Sequence, residues 1–363
     1  MAPKLNNGKP RRKRSTSPLN NLPGLFDHLE LDLADTPVET PAFTETDFNI
    51  EERHKAQSAS KQELNIDPSR LQRPSSFRFI SFGSGSSGNC SFLGYDSGEG
   101  VTKGVLIDAG VEPDVVYQAL RDNKIDIRSI SGILLTHDHG DHVKYVYTIL
   151  RANRHMVVYT TMRTMSGLLR RHSISNRIKD YHRIIYIEHP FEIGNLSVTA
   201  FRTSHDGTEN VGYSINSRDG NHRFVIATDT GIITPESDNY LRKANYIVIE
   251  SNYDNRMLLE GPYAEYLKAR IQSDRGHLDN KVAANYIKSI VNPAVSHVFL
   301  CHLSEENNTP ELAYRTMYEA LLSKGLKIGD PTNPLMTADS DIALAVLPRR
   351  ATTPLFLLRH KNK

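Results

Sequence analysis

The sequence has little of several things that would fix its class at once. Its 363 residues include two cysteines, Cys90 and Cys301. Two thiols are too few for a disulfide framework, which argues for a reducing compartment. The first residues carry no apolar core of a secretory signal. No run approaches the roughly 20 apolar residues of a membrane span. The net charge is only +2, so charge alone singles out no partner. These absences predict a cytoplasmic protein with no membrane association, and they leave protein partners unspecified. With 38% hydrophobic residues the chain has apolar material for a sizeable core.

A further absence concerns the stretch "FGSGSSGN", residues 82–89. Gly83, Gly85 and Gly88 spell the dinucleotide-binding fingerprint, and Asp108 lies 20 positions after Gly88. That fingerprint requires a helix directly after the glycines, because the helix N-terminus receives the pyrophosphate. Here "NCSFLGYDSGEG" follows, an apolar strand and a turn. No Gly-Lys-Ser/Thr follows either, so a P-loop is excluded. The loop reads as a hairpin between two strands.

Residues 1–75 differ from the rest. The first 20 hold six Lys/Arg and no acid, while 26–67 hold eleven Asp/Glu against three Lys/Arg. Such a segment reads as a disordered tail, basic then acidic, with a short helix allowed over 26–34. From Phe77 onward, β-rich runs alternate with helical periodicity over 113–123, 142–153, 161–171, 278–291 and 310–324. Thr309 and Pro310 give the last helix a start signal. This order suggests an α/β (α+β) domain of two sheets covered by helices over 76–350, then a C-terminal strand and basic tail over 351–363.

The chemistry concentrates in "LLTHDHGDHV". His137, His139, Asp141 and His142 follow a strand at the start of a helix. Imidazole nitrogens and carboxylate oxygens together suit zinc, manganese or iron. His137 and His139 alternate on an extended segment and reach one metal. Asp141 and His142, one turn on, face a second.

This H-x-H-x-D-H pattern resembles the metallo-β-lactamase-fold superfamily. His205 in "FRTSHDG", Asp229 in "ATDTG" and His302 in "FLCHLS" match that family's later ligands in order, each after a strand. The resemblance implies an αββα sandwich of two mixed sheets and a dinuclear site holding two divalent metal ions, zinc or manganese. His137, His139 and His205 would hold one ion, Asp141, His142 and His302 the other, with Asp229 between. Such a pair generates a hydroxide nucleophile near neutral pH. Asp141 is placed to orient it.

The same ligands serve several chemistries, so the substrate comes from elsewhere. The lack of a secretory signal argues against a secreted β-lactamase. Only 72 residues separate Asp229 from His302, too few for the insert of a β-CASP nuclease. "FGSGSSGNC", "SDRGHLDN" and "CHLSEENNTPE" resemble the WalJ/YycJ-like branch, associated with DNA exonuclease activity. The implied function is a metal-dependent phosphodiesterase on nucleic acid, DNA before RNA. A carboxylic- or thio-ester hydrolase is the alternative. His277 sits where related nucleases place a histidine that protonates the leaving oxygen, although it also suits a helix entry capped by Asp279. Ser84, Ser86, Ser87 and Asn89 are expected to help hold a substrate phosphate, with the loop N–H groups forming an anion-binding nest, and Asn307 to contact substrate. Residues 151–187 hold eight Lys/Arg and one acid, Asp180, a stretch that could attract a phosphate backbone.

Overall fold

The computed structural model describes residues 74–98 and 102–359. The expected tail up to residue 73, its helix over 26–34 and the terminal residues 360–363 lie outside the described residues. In chain order the strands are β1 (Ser76–Gly85), β2 (Gly88–Asp96), β3 (Thr102–Ile107), β4 (Ile130–Leu134), β5 (Val157–Thr160), β6 (His182–Ile184), β7 (Phe191–Ile193), β8 (Leu196–Arg202), β9 (Val211–Ser217), β10 (Arg223–Ala227), β11 (Tyr246–Glu250), β12 (His297–Cys301), β13 (Ile328–Gly329), β14 (Ile342–Val346) and β15 (Phe356–Leu358). The helices are α1 (Pro113–Asp122), α2 (Gly140–Val143), α3 (Val146–Ala152), α4 (Met162–Arg171), α5 (Pro235–Leu241), α6 (Asn255–Glu260), α7 (Glu265–Ile271), α8 (Asn280–Ile290), α9 (Pro310–Leu322) and α10 (Pro334–Ala338).

The strands form two sheets, in the orders β15-β1-β2-β3-β4-β5-β6 and β13-β14-β12-β11-β10-β9-β8-β7. Each begins as an antiparallel meander and continues with parallel strands. The central strands are buried on both faces, which is why they read as continuous apolar runs. Period-2 alternation still sorts their side chains. On β1, Phe77 and Phe79 join Phe224, Tyr246 and Phe299 in the core between the sheets. Ile80 and Phe82 face the other way, toward Val116 of α1, Ile149 of α3 and Leu168 of α4. On β11, Tyr246 and Val248 face inward, while Ile247 and Ile249 meet Ala283 and Ile287 of α8 and Met317 of α9. The layers are therefore helix, sheet, sheet, helix, as the sequence suggested. The chain returns at its end to the first sheet, where β15 pairs with β1.

Two readings need correction. The helix expected over 142–153 is broken into α2 and α3, because the Tyr145 N–H donates to the Ala109 carbonyl (2.9 Å) and leaves the helical ladder. The sequence reading also has no counterpart for α5, α6, α7, α10, β7 and β13. Of these, α5 carries the same Thr-Pro start signal as α9: Thr234 caps it through the Ser237 N–H, and Pro235 follows.

The parallel strands place their C-terminal ends at one edge of the sandwich. Ligands gather outside that edge in α/β architectures. Asp108 follows β3, His137 follows β4, Asp229 follows β10, Glu250 ends β11 and His302 follows β12. The edge is locally strained. Asp108, Asp229 and His302 have left-handed backbones, with φ of 61°, 49° and 54°. Each such residue costs on the order of 1–3 kcal/mol and is held only where the surroundings over-determine it. One buried Phe or Ile contributes about 1.5–3 kcal/mol, so the inter-sheet core readily offsets that strain.

Candidate metal centre

All seven residues expected as ligands meet at this edge. His137, His139 and His205 bring one nitrogen each within 4.8 Å of one another, and Asp141, His142 and His302 form a second such group. Asp229 reaches both. Its Oδ2 lies 3.9 Å from His137 Nε2 and 3.8 Å from His205 Nε2, and its Oδ1 lies 3.5 Å from His142 Nε2.

The histidines are aimed by their second ring nitrogens. His142 Nδ1 lies 2.7 Å from Asp108 Oδ2, which selects the tautomer with its lone pair on Nε2. Asp108 also accepts from the Thr136 N–H and hydroxyl, and the Thr136 oxygen lies 3.0 Å from His137 Nδ1. One carboxylate thus orients two rings, His142 directly and His137 through Thr136. His205 Nδ1 donates to the Gly276 carbonyl (2.9 Å). His302 Nδ1 lies 2.9 Å from Glu250 Oε1, and its Nε2 faces Asp141 Oδ2 at 3.5 Å.

Burial sets the charge of the first group. It pushes His137 well below the ordinary imidazole range, with His142 and His139 adding to the effect. Burial and the neighbouring His277 take His205 down to about 4. In the second group burial also pulls the imidazoles down, but carboxylates outweigh it. Asp141, Asp229 and Asp108 hold His142 well above its usual value. Asp229, Asp141 and Glu250 raise His302 to about 10. Burial pushes the carboxyl of Asp141 up, yet His142 and His302 together keep it below the usual carboxylate range. The first group is a set of neutral nitrogen donors. The second is an acid-rich pocket that calls for positive charge.

The donor set fits a divalent cation. Neutral imidazole nitrogens and carboxylate oxygens are the ligands that zinc and its neighbours take. His137 Nε2, aimed inward, is buried with no hydrogen-bond partner among the described residues. A buried polar atom left so is costly unless something binds it.

Two carboxylates of the centre were missed from sequence. Glu250 is fully buried. It accepts at Oε1 from His277 Nδ1 (2.7 Å) and at Oε2 from the Thr230 N–H (2.8 Å). It looked like the end of a strand, "YIVIES", and no local signal marked it. Asp206 sits 3.2 Å from His139 Nε2 and accepts from Arg270 Nε (2.8 Å). Its place next to His205 was the available signal. Asp108, met first as an acid at fingerprint spacing, is the carboxylate behind His142.

His277 lies within the centre, its ring 4.8 Å from that of His205 and 5.2 Å from that of His302. Asp279 caps α8 through the N–H groups of Lys281 and Val282, so the helix entry and the histidine coexist.

The glycine loop is a hairpin: Gly85 pairs with Gly88 around Ser86 and Ser87. The expected nest is not formed. The positive-φ glycines among the described residues are Gly98, Gly194, Gly220 and Gly325, none in this loop. The Ser84 N–H donates to the carbonyls of Pro348 and Arg349. The Ser84 hydroxyl accepts from the His302 N–H (3.0 Å), which ties the hairpin to that histidine. The Asn89 amide donates to Asp141 Oδ2 (2.9 Å) and lies 3.0 Å from His142 Nε2. The glycines serve close packing. A Cβ on Gly88 would overlap the Gly110 carbonyl, and one on Gly110 would overlap the Asp141 carbonyl. Ser86 is half-buried and Ser87 exposed at the tip. Asn307 is fully buried, with its N–H donating to Ser304 Oγ and its carbonyl accepting from Asp254. It anchors its loop and offers substrate no surface, which corrects the expectation for it.

The basic stretch does border the centre. His172 Nε2 lies 2.7 Å from the Asp138 carbonyl and Arg171 Nε 3.5 Å from its carboxylate, and Asp138 stands between His137 and His139. Arg163, Arg170 and Arg171 are exposed on α4.

Comparison with known proteins agrees with this geometry. Residues 103–302 match the family model of the beta-lactamase superfamily domain. The chain is 32% identical over 252 residues to the exodeoxyribonuclease YycJ of Bacillus anthracis, spanning 69% of this chain and 92% of that protein. It is 30% identical over 253 residues to the exodeoxyribonuclease WalJ of Streptococcus pneumoniae, spanning 70% and 91%. The metallo-beta-lactamase fold protein YhfI from Bacillus subtilis superposes with a TM-score of 0.53 at 14% identity, over 78% of this chain and all of that one. No helix among the described residues is long and apolar enough to cross a membrane. With the αββα layers and the histidine–aspartate edge in place, the chain belongs to the beta-lactamase superfamily of metallo-β-lactamase fold, in its WalJ/YycJ-like branch.

Proposed function

We propose that this chain is a metal-dependent phosphodiesterase that degrades nucleic acid, acting as an exonuclease on DNA within the cytoplasm. The observation that carries the reading is the pair of donor groups sharing Asp229, with His277 beside them. His137, His139 and His205 would hold one divalent ion, Asp141, His142 and His302 the other, zinc or manganese, with Asp229 common to both. Bound there, two such ions supply an activated water and neutralise charge on a phosphodiester.

The remaining steps belong to the chain's own side chains. Asp141, held by the Asn89 amide, orients the attacking water. Glu250 holds His277 through Nδ1, which directs its Nε2 to deliver a proton to the leaving oxygen. Positioned proton transfer of this kind contributes about 10²–10⁴-fold. The arginines of α4 supply the cationic approach for a phosphate backbone. The names of the WalJ and YycJ relatives support DNA as substrate.

The test uses the metal-loaded full chain with 5′- and 3′-end-labelled single- and double-stranded DNA, the same in RNA, and a thioester. Progressive shortening of DNA, with His277→Ala lowering kcat by at least about 10²-fold, is the expected result. Intact nucleic acids together with a cleaved thioester would overturn the reading in favour of an ester hydrolase.

A further inference from the structure

The segment between β11 and α8 forms a lobe that reaches the metal centre. Its own small core consists of Tyr253, Leu258 and Ile271, with Tyr263 and Leu267 packed against it. Arg270, near the end of α7, bonds Asp206, whose other oxygen touches His139 and His205. Beyond it the Gly276 carbonyl holds His205, and Arg275 Nε donates to the His205 carbonyl. The C-terminal end of α7 is thus fixed at the first histidine group.

Tyr266 stands four residues before Arg270. Residues at that spacing share a helical face, about 6 Å apart along the axis. Tyr266 is 79% exposed, more than any other large hydrophobic side chain among the described residues. It takes no part in the lobe's core, so folding gives no reason for an aromatic ring there. Also bordering the centre, α4 presents Arg163, Arg170 and Arg171 to solvent and touches Asp138 through Arg171. The surroundings of the centre therefore carry exposed arginines on α4 and, on the α7 segment that reaches Asp206, an exposed ring one turn from Arg270. That combination matches single-stranded nucleic acid, whose backbone tracks positive charge while its bases stack on aromatic rings.

We infer that Tyr266 is a stacking platform for a base of the substrate strand, next to the nucleotide being cleaved. The inference rests on the nuclease reading and adds to it a preference for an unpaired strand end. It makes Tyr266 a positioning residue, since it acts on the neighbouring base and not on the reacting bond.

Steady-state kinetics of the full-length, metal-loaded protein on an end-labelled single-stranded oligonucleotide tests it. Tyr266→Ala is expected to raise KM about tenfold, with kcat held within about twofold, whereas Tyr266→Phe keeps the wild-type KM because the ring remains. An oligonucleotide with one abasic position near its end should raise KM for the wild type but not further for Tyr266→Ala. Thermal unfolding of the variants should match the wild type. An active wild type with an unaffected Tyr266→Ala overturns this inference alone, and so does a Tyr266→Phe as impaired as Tyr266→Ala. A wild type that degrades no nucleic acid overturns both this inference and the nuclease reading.

Discussion

The two donor groups both rest on buried histidines yet reach opposite charge states. In the first, His137, His139 and His205 are buried with few acids, and their protons are driven off. In the second, Asp141, Asp229, Asp108 and Glu250 surround His142 and His302 and hold protons on them. The first is ready for a cation at neutral pH. The second must exchange a proton for one. Desolvation acts on both, so the difference lies in the number of carboxylates within reach.

The most drastic way to break the comparison is to remove one group. His139→Ala takes a donor from the first and His142→Ala from the second, and each should reduce nuclease activity to background in an end-labelled DNA assay. If only one variant is inactive, the two groups do not act together.

Asp108→Asn is milder. It keeps the shape behind His142 but removes the charge that selects its tautomer. Metal affinity should fall about 10–100-fold, measured by competition with a chromogenic chelator. The effect should be larger at the second group, since Asp108 reaches His137 only through Thr136.

Acidity sharpens the contrast. At pH 7 His302, raised to about 10, is protonated in the metal-free protein, while His205, lowered to about 4, is neutral. As pH falls below 10, metal binding at the second group should weaken about tenfold per unit for the proton displaced from His302, while His205 at the first group competes for its proton only as pH approaches 4. Metal content measured after dialysis across this range should fall in two steps.

The smallest effect is expected at the hairpin tip. Ser87→Ala removes an exposed hydroxyl at the tip, just beyond the paired Ser84 and Asn89, which contact His302, Asp141 and His142. KM should change by no more than about twofold for one such contact screened by water. A larger change would restore the hairpin as a phosphate site.

The H-x-H-x-D-H cluster was easier to read from sequence than the later ligands. His137, His139, Asp141 and His142 crowd one strand end, and no core needs such a cluster. His205, Asp229 and His302 are isolated in the chain, and only the family pattern united them. Glu250 and Asp108 carried no local mark, because a carboxylate behind a histidine is defined by tertiary contact. The layers were legible from apolar runs of β-formers. The α6–α7 lobe was not, because two helices of six and seven residues span too few turns to show a period. The glycine loop forms the hairpin that its sequence implies and not the expected nest. The sequence shows small residues there but not that Gly110 and Arg349 press against them.

Metal content per chain tests the central claim most directly. The account expects two divalent ions per wild-type chain after metal loading and gel filtration, with Asp229→Ala losing both in parallel with activity, because that carboxylate serves both groups. A wild type that retains no ion, or an Asp229→Ala variant that keeps two and remains active, would contradict it.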